Sequence, residues 1–176
     1  MLSERLLVAP VFTPSGAVDY YLPAGRWTNF LSGEAVEGGR WVREQHRYLG
    51  LPLMVRPNTV LPVGANENRP DYEYTDGVTF YVFELAGAAS ADGTSASASV
   101  PAPDGSVAMT VEVRREGDRI DVQVQGAYAP WSVLLCGVSD GTSAGVASVE
   151  GGAAQAEALG TRLVPAAGAR RLVVRL

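Results

Sequence analysis

Short alternations of apolar and polar residues, broken by glycine, proline and aspartate–glycine pairs, recur along the whole chain. Ile120-Asp-Val-Gln-Val124 is the cleanest, with Ile120, Val122 and Val124 on one face and Asp121 and Gln123 on the other. Met109-Thr-Val-Glu-Val-Arg114 repeats the pattern. One-sided strands of this kind suit an antiparallel sheet with one wet face. No window sustains the 3.6-residue period of an amphipathic helix. The pattern predicts strands at Leu6–Phe12, Ala17–Leu22, Arg26–Leu31, Arg40–Gln45, Thr59–Val63 and Thr79–Leu85. It predicts a second set at Ser95–Val100, Val107–Arg114, Arg119–Gln125, Trp131–Leu135, Ala144–Val149, Ala154–Leu159 and Arg170–Leu176. Asp76–Gly77, Asp104–Gly105 and Gly117–Asp118 are expected at tight turns, because such pairs tolerate positive φ.

The strand list makes the fold class all-β. Composition then divides it. Residues 86–99 read AGAASADGTSASAS, almost without large side chains, and two of the three tryptophans precede them. The expectation is two β-sandwich-like antiparallel domains, at 1–86 and 87–176, and 176 residues suffice to bury a core in each. A net charge of −5 argues against nucleic acid as a partner, since that requires a basic face. No apolar run approaches the roughly 18 residues of a membrane span. Arg5 interrupts the N-terminal apolar stretch too early for a signal peptide. Met1 runs almost directly into the first strand, so the start resembles a cut within a longer chain, and a bacterial cytoplasmic location is expected. All fourteen basic residues are arginine, which points to GC-rich coding rather than to function. Cys136, the lone cysteine, sits in the apolar run VLLC and reads as a buried structural thiol.

Several groups invite a chemical reading. Gly137-Val-Ser-Asp-Gly141 matches the G-x-S-x-G nucleophile elbow, but the residues after it do not form the required helix, so Asp140–Gly141 reads as a turn. His46 is the only histidine; a metal site needs several convergent ligands, and a structural hydrogen bond at a strand end is expected instead. Asp71, Glu73 and Asp76 form the densest carboxylate cluster. Glycoside hydrolysis uses paired carboxylates, about 5–5.5 Å apart for retention, yet nothing else here makes a sugar-sized cleft, and the calcium-loop spacing is broken. A loop tip with arginine contacts is expected. Trp27, Trp41, Tyr20 and Tyr21 are expected in the core or a domain interface, with a sugar-stacking platform as the alternative. Arg56, alone in an apolar run, is expected to hold the junction around Pro52–Pro57 through carbonyls or a carboxylate. No catalytic, metal-binding or cofactor-binding residue is assigned.

Residues 6–85 closely resemble the segment that follows the catalytic barrel in bacterial α-xylosidases of glycoside hydrolase family 31. The most specific stretches are Leu-Pro-Leu-x-Val-Arg-x-Asn-Thr-x-Leu at Leu51–Leu61 and Arg69-Pro-Asp-Tyr72. Asn58–Thr59 and the second stretch look like the xylosidase branch rather than the α-glucosidases. Residues 87–176 show only the family's loose pattern of a final β domain. Leu2-Ser-Glu-Arg5 departs from the family's usual Leu-Gly-Asp-Asp or Leu-Gly-Asp-Asn. The family's catalytic carboxylates lie on barrel strands with no counterpart here, so none is carried over.

The resemblance implies a non-catalytic C-terminal accessory region that supports the barrel and subunit packing. Its parent would hydrolyse terminal α-linked xylose or glucose. The implied partner is a catalytic barrel of the same polypeptide, with weak homo-oligomerisation through apolar surface on residues 1–86. No cofactor is implied. The alternative is a free-standing carbohydrate-binding β-sandwich; burial of both Trp27 and Trp41 would remove it.

Overall fold

The structure, a computed structural model, describes residues 5–86, 94–126, 129–137 and 145–176. The described residues form sixteen strands and divide into two compact units, Met1–Pro57 and Asn58–Leu176. Among them no helix is long and apolar enough to cross a membrane.

The first unit holds β1 (Leu6–Val8), β2 (Ala17–Leu22), β3 (Arg26–Asn29), β4 (Ala35–Glu37), β5 (Arg40–Gln45) and β6 (Leu53–Val55). A four-stranded sheet runs β1-β6-β3-β4, and β2 and β5 form a separate ribbon. Leu7, Tyr20, Leu22, Trp27 and Met54 are buried together between them. The expected strand Leu6–Phe12 stops at Val8, because Pro10 has no N–H with which to continue a ladder.

The second unit holds β7 (Thr59–Val63), β8 (Val78–Phe83), β9 (Thr94–Pro101), β10 (Val107–Glu116), β11 (Arg119–Gly126) and β12 (Trp131–Cys136). It continues with β13 (Ser148–Glu150), β14 (Gly152–Glu157), β15 (Gly160–Pro165) and β16 (Arg171–Arg175). Two five-stranded sheets, β13-β16-β11-β10-β9 and β14-β15-β12-β8-β7, share one core. Val111, Val113, Ile120, Val122, Leu172 and Val174 come from the first sheet; Phe80, Val82, Val133, Leu135 and Leu163 come from the second. The alternation in β10 and β11 thus has its expected result, with Val111, Val113, Val122 and Val124 inside and Glu112, Asp121 and Gln123 on the opposite face. Gly77, Gly105 and Gly117 all adopt positive φ at their turns.

The compact units do not follow the change in composition. The division falls after Pro57 rather than at residue 86. β7 and β8 belong to the later unit because β8 pairs with β12, from Trp131↔Val78 to Cys136↔Phe83. The small-residue stretch therefore joins two strands of one sandwich, although residues 87–93 lie outside the described set. The β8–β12 pairing is also parallel, in sheets otherwise antiparallel among the described strands. Between β8 and β12 the chain builds β9, β10 and β11 in the facing sheet, which supplies the long crossover a parallel pair requires.

Candidate functional site

The aromatic residues of the β2–β5 ribbon are divided by strand parity. The ribbon pairs Tyr20 with Val42, Tyr21 with Trp41 and Asp19 with Arg43. Tyr20 and Leu22 turn into the core, so Tyr21 and Trp41 share the opposite face. Trp41 is 72% exposed and meets Tyr21 edge-on, with ring centroids 5.9 Å apart and planes at 66°. Beside them Arg43 grips Asp19 with two donors, Nε to Oδ1 at 2.6 Å and Nη2 to Oδ2 at 3.1 Å. This fork holds the Asp19 carboxyl below its ordinary range. Trp27 and Tyr20 are in the core, one of the two expected places, whereas Trp41 and Tyr21 lie outside it on the exposed face of the ribbon.

On the covered side of the ribbon, Glu44 joins two other groups. Tyr20 Oη donates to Glu44 Oε1 at 3.1 Å, and His46 Nε2 donates to Oε2 at 2.7 Å. Burial, followed by the Glu44 charge, pushes the Tyr20 phenol well above its ordinary range. His46 sits one residue past β5, where its N–H donates to Gly16 O at 2.9 Å. At Gly16, φ is +79°, and an added Cβ would lie 2.0 Å from His46 O, so only glycine lets these segments close together. Both Glu44 oxygens are engaged, so the arrangement is a structural clamp with no nucleophile at its centre. The histidine stands as expected, at a strand end and hydrogen-bonded.

Next to the clamp, an open groove is lined by Phe12, Thr13, Ser15, His46, Tyr48 and Leu51 among others. Phe12, Tyr48 and Leu49 are 89–100% exposed. Trp27, in the same unit, is fully buried, with Nε1 donating to Pro23 O at 2.8 Å. Arg56 lies over its ring at 4.2 Å from the centroid and donates to Ala24 O at 3.4 Å. The expected carbonyl contact is present; the stack on Trp27 was not foreseen.

In the second unit, the carboxylate cluster occupies a loop. Asp71 and Glu73 are exposed, and Arg69 Nε lies 3.3 Å from Asp71 Oδ1 while donating to the Asp71 carbonyl at 2.7 Å. Tyr72 and Tyr74 pack edge-to-face at 5.2 Å. Gly64 leaves room for the Tyr72 hydroxyl, since a Cβ there would lie 1.7 Å from it. The Asp71–Asp76 segment has the loop-tip character and arginine contact expected of it. No group of three metal-ligating side chains converges among the described residues. Of the G-x-S-x-G match, Gly137 closes β12 with φ +78°; residues 138–141 lie outside the described set. Cys136 is buried as expected, and burial pushes its thiol up to about 12.

One polar cluster had no sequence signal. Arg162 on β15 donates to Thr79 Oγ1 at 3.0 Å and Ser132 Oγ at 2.8 Å, and its fork engages Glu157. Its partners lie 5 to 83 residues away, too scattered for a spacing motif.

These features define an all-β pair of modules, and comparison supplies their family. The glycosyl hydrolase family 31 C-terminal domain matches residues 1–61, and the alpha-xylosidase YicI C-terminal domain matches residues 73–176. The chain therefore belongs to glycoside hydrolase family 31, as C-terminal domains of the α-xylosidase type. Alpha-xylosidase XylQ of Lactiplantibacillus pentosus is 32% identical over 140 residues, covering 77% of this chain and 17% of that protein. An alpha-xylosidase of Emericella nidulans is 37% identical over 90 residues, covering 47% of this chain and 12% of that protein. The cycloalternan-forming enzyme of Listeria monocytogenes, solved with a pentasaccharide substrate, superposes on 99% of this chain and 18% of its own. Its TM-score is 0.73 at 15% identity, a likeness of fold alone. The chain thus spans less than a fifth of the length of these relatives.

Proposed function

We propose that this chain is the non-catalytic C-terminal region of a family 31 glycoside hydrolase that releases terminal α-linked xylose or glucose, and that its first unit packs on the catalytic barrel of that enzyme. The carrying observation is where apolar surface lies. Phe12, Tyr21, Leu31, Trp41, Tyr48 and Leu49 are large, exposed and all within the first unit; among the described residues the other exposed large hydrophobics are Val107 and Val164. Tyr21 meets Trp41, and Phe12 and Tyr48 line one groove; exposed apolar residues grouped in this way favour an interaction surface. With that surface uncovered, weak self-association through the first unit is expected as a by-product. A bacterial cytoplasmic location belongs to the same reading, and the buried, unpaired Cys136 thiol is compatible with it.

A carbohydrate-binding reading draws on the exposure of Trp41. Its edge-on partner argues against it, because a sugar ring stacks on an open aromatic face and the 66° angle leaves no shared plane. The purified chain, incubated with aryl α-xyloside and aryl α-glucoside, is expected to give no turnover. Activity that persists through repurification and disappears in Asp71→Ala would overturn the non-catalytic reading. Retardation by an α-glucan or xyloglucan gel, lost in Trp41→Ala, would favour the carbohydrate-binding one.

A further inference from the structure

We propose that the free edge of β14 is a self-pairing interface, joining antiparallel to β14 of a second copy across a two-fold axis at Ala154. β14 ends the sheet β14-β15-β12-β8-β7 and has one paired neighbour among the described strands. An edge strand offers a row of unpaired backbone donors and acceptors, which proteins ordinarily guard with charge, proline or a bulge. β14 has little such protection. Gly152-Ala-Ala-Gln-Ala156 contains neither charge nor proline, and its register with β15 runs unbroken from Gly152↔Pro165 to Glu157↔Gly160. Glu157, the one charged residue, is tied back by the Arg162 fork. Ala153 through Glu157 are exposed on both faces of the strand, so small side chains surround the edge. The other long uncharged edge, β9, lies against β7 and is less open to a newcomer.

The ladder itself selects the register. Pro165 has no N–H, which suits a non-hydrogen-bonded pair with Gly152. Alternation then directs the backbone groups of Gly152, Ala154 and Ala156 away from β15. Two copies use all three when Ala154 faces Ala154 of the other copy and Gly152 faces its Ala156. Ala153 then faces Gln155, and Glu157 lies beyond the last pair. No like charges oppose one another, and the same residues serve both copies, as a closed two-fold interface requires. An unrelated extended peptide could use the same backbone groups, but it lacks this built-in complementarity. A second copy is always present at equal concentration.

Sedimentation equilibrium of the full chain tests the proposal, with a concentration-dependent dimer expected up to about 1 mM. In a Tyr48→Ser background, which weakens association through the first unit, the dimer should persist, and Ala154→Pro and Ala154→Lys should each weaken it by at least about tenfold. Ala154→Cys should oxidise to a covalent dimer, because facing hydrogen-bonded residues place their Cα atoms about 5.5 Å apart, within disulfide range. Gln155→Cys should not. Circular dichroism keeps the variants comparable, and β14 sits at an exposed edge where substitution spares the core. A strictly monomeric chain, or a dimer abolished by Tyr48→Ser and indifferent to both Ala154 variants, would overturn the proposal. Neither result bears on the non-catalytic reading, which rests on turnover alone.

Discussion

Arg56 and Trp27 show how one residue pair closes the smaller unit. Trp27 is fully buried and its indole N–H is satisfied by Pro23, so the ring is held by contacts independent of Arg56. The guanidinium then covers the ring face at 4.2 Å and reaches Ala24. Such a stack contributes about 0.5–2 kcal/mol, depending on desolvation. Arg56→Leu should lower stability by about 1 kcal/mol and Arg56→Lys by somewhat less, since an ammonium keeps the charge but loses the flat stack. A leucine variant that melts within a degree of the parent would remove this role. Tyr20 makes a pH-dependent contribution. Its phenol is ordinarily at 10.0 and is raised in the folded state by burial and by Glu44. The fold therefore holds that proton more tightly than the unfolded chain does. The associated stability is complete below pH 10 and is lost as pH rises through the folded value. Cys136, raised from 9.0 to about 12, adds a loss of the same sign. Urea midpoints measured from pH 8 to about 11 should fall, and less steeply in Tyr20→Phe. Identical slopes would assign the loss to other groups.

At the scale of elements, the strands easiest to read were those whose environment matches a simple period. β2, β5 and β7 fall at their expected bounds, and β10 and β11 extend theirs by one or two residues. The parity that buries Tyr20 and Leu22 also fixes Tyr21 and Trp41 outside, so their exposure was already present in the alternation. General aromatic burial was the weaker guide. β4 and β6 are three residues each, too short to show any period. β15 was missed because Arg162 and Pro165 interrupt its apolar residues. Its arginine is accommodated by partners from distant strands, which no local window reveals. Arg162 ties β15 to Ser132 on β12 and Thr79 on β8 across the outer face of the sheet. Arg162→Met would leave both hydroxyls and Glu157 without that partner. A loss of about 1–3 kcal/mol is expected from chemical denaturation. An unchanged urea midpoint would show that water replaces the arginine at no cost.

At the scale of the molecule, the family resemblance and the fold class were legible, while the domain boundary was not. Composition marked residue 86, but pairing decides membership, and the β8–β12 ladder joins segments about fifty residues apart. The resulting units differ in their cores. The second buries Met109, Ile120, Leu135, Leu163 and Leu172 within a larger cluster between two five-stranded sheets. The first rests on Leu7, Ala9, Tyr20, Leu22, Trp27 and Met54. A unit of fewer than sixty residues buries a smaller share of its surface and is correspondingly marginal. Its strands are short, and the β2–β5 ribbon exposes one face with Trp41 and Tyr21 on it. Local opening should therefore be easier there. In native-state hydrogen exchange, amides of β10, β11 and β12 should open only with global unfolding, at the largest free energies. Those of β2 and β5 should exchange at values lower by at least about 2 kcal/mol. Adding a catalytic domain that covers Phe12, Trp41 and Tyr48 should raise the β2–β5 values and leave those of β10 and β11 unchanged, because the second unit already has a complete core. Equal protection in both units of the isolated chain would show one cooperative fold, and the first unit would then need no partner to complete it.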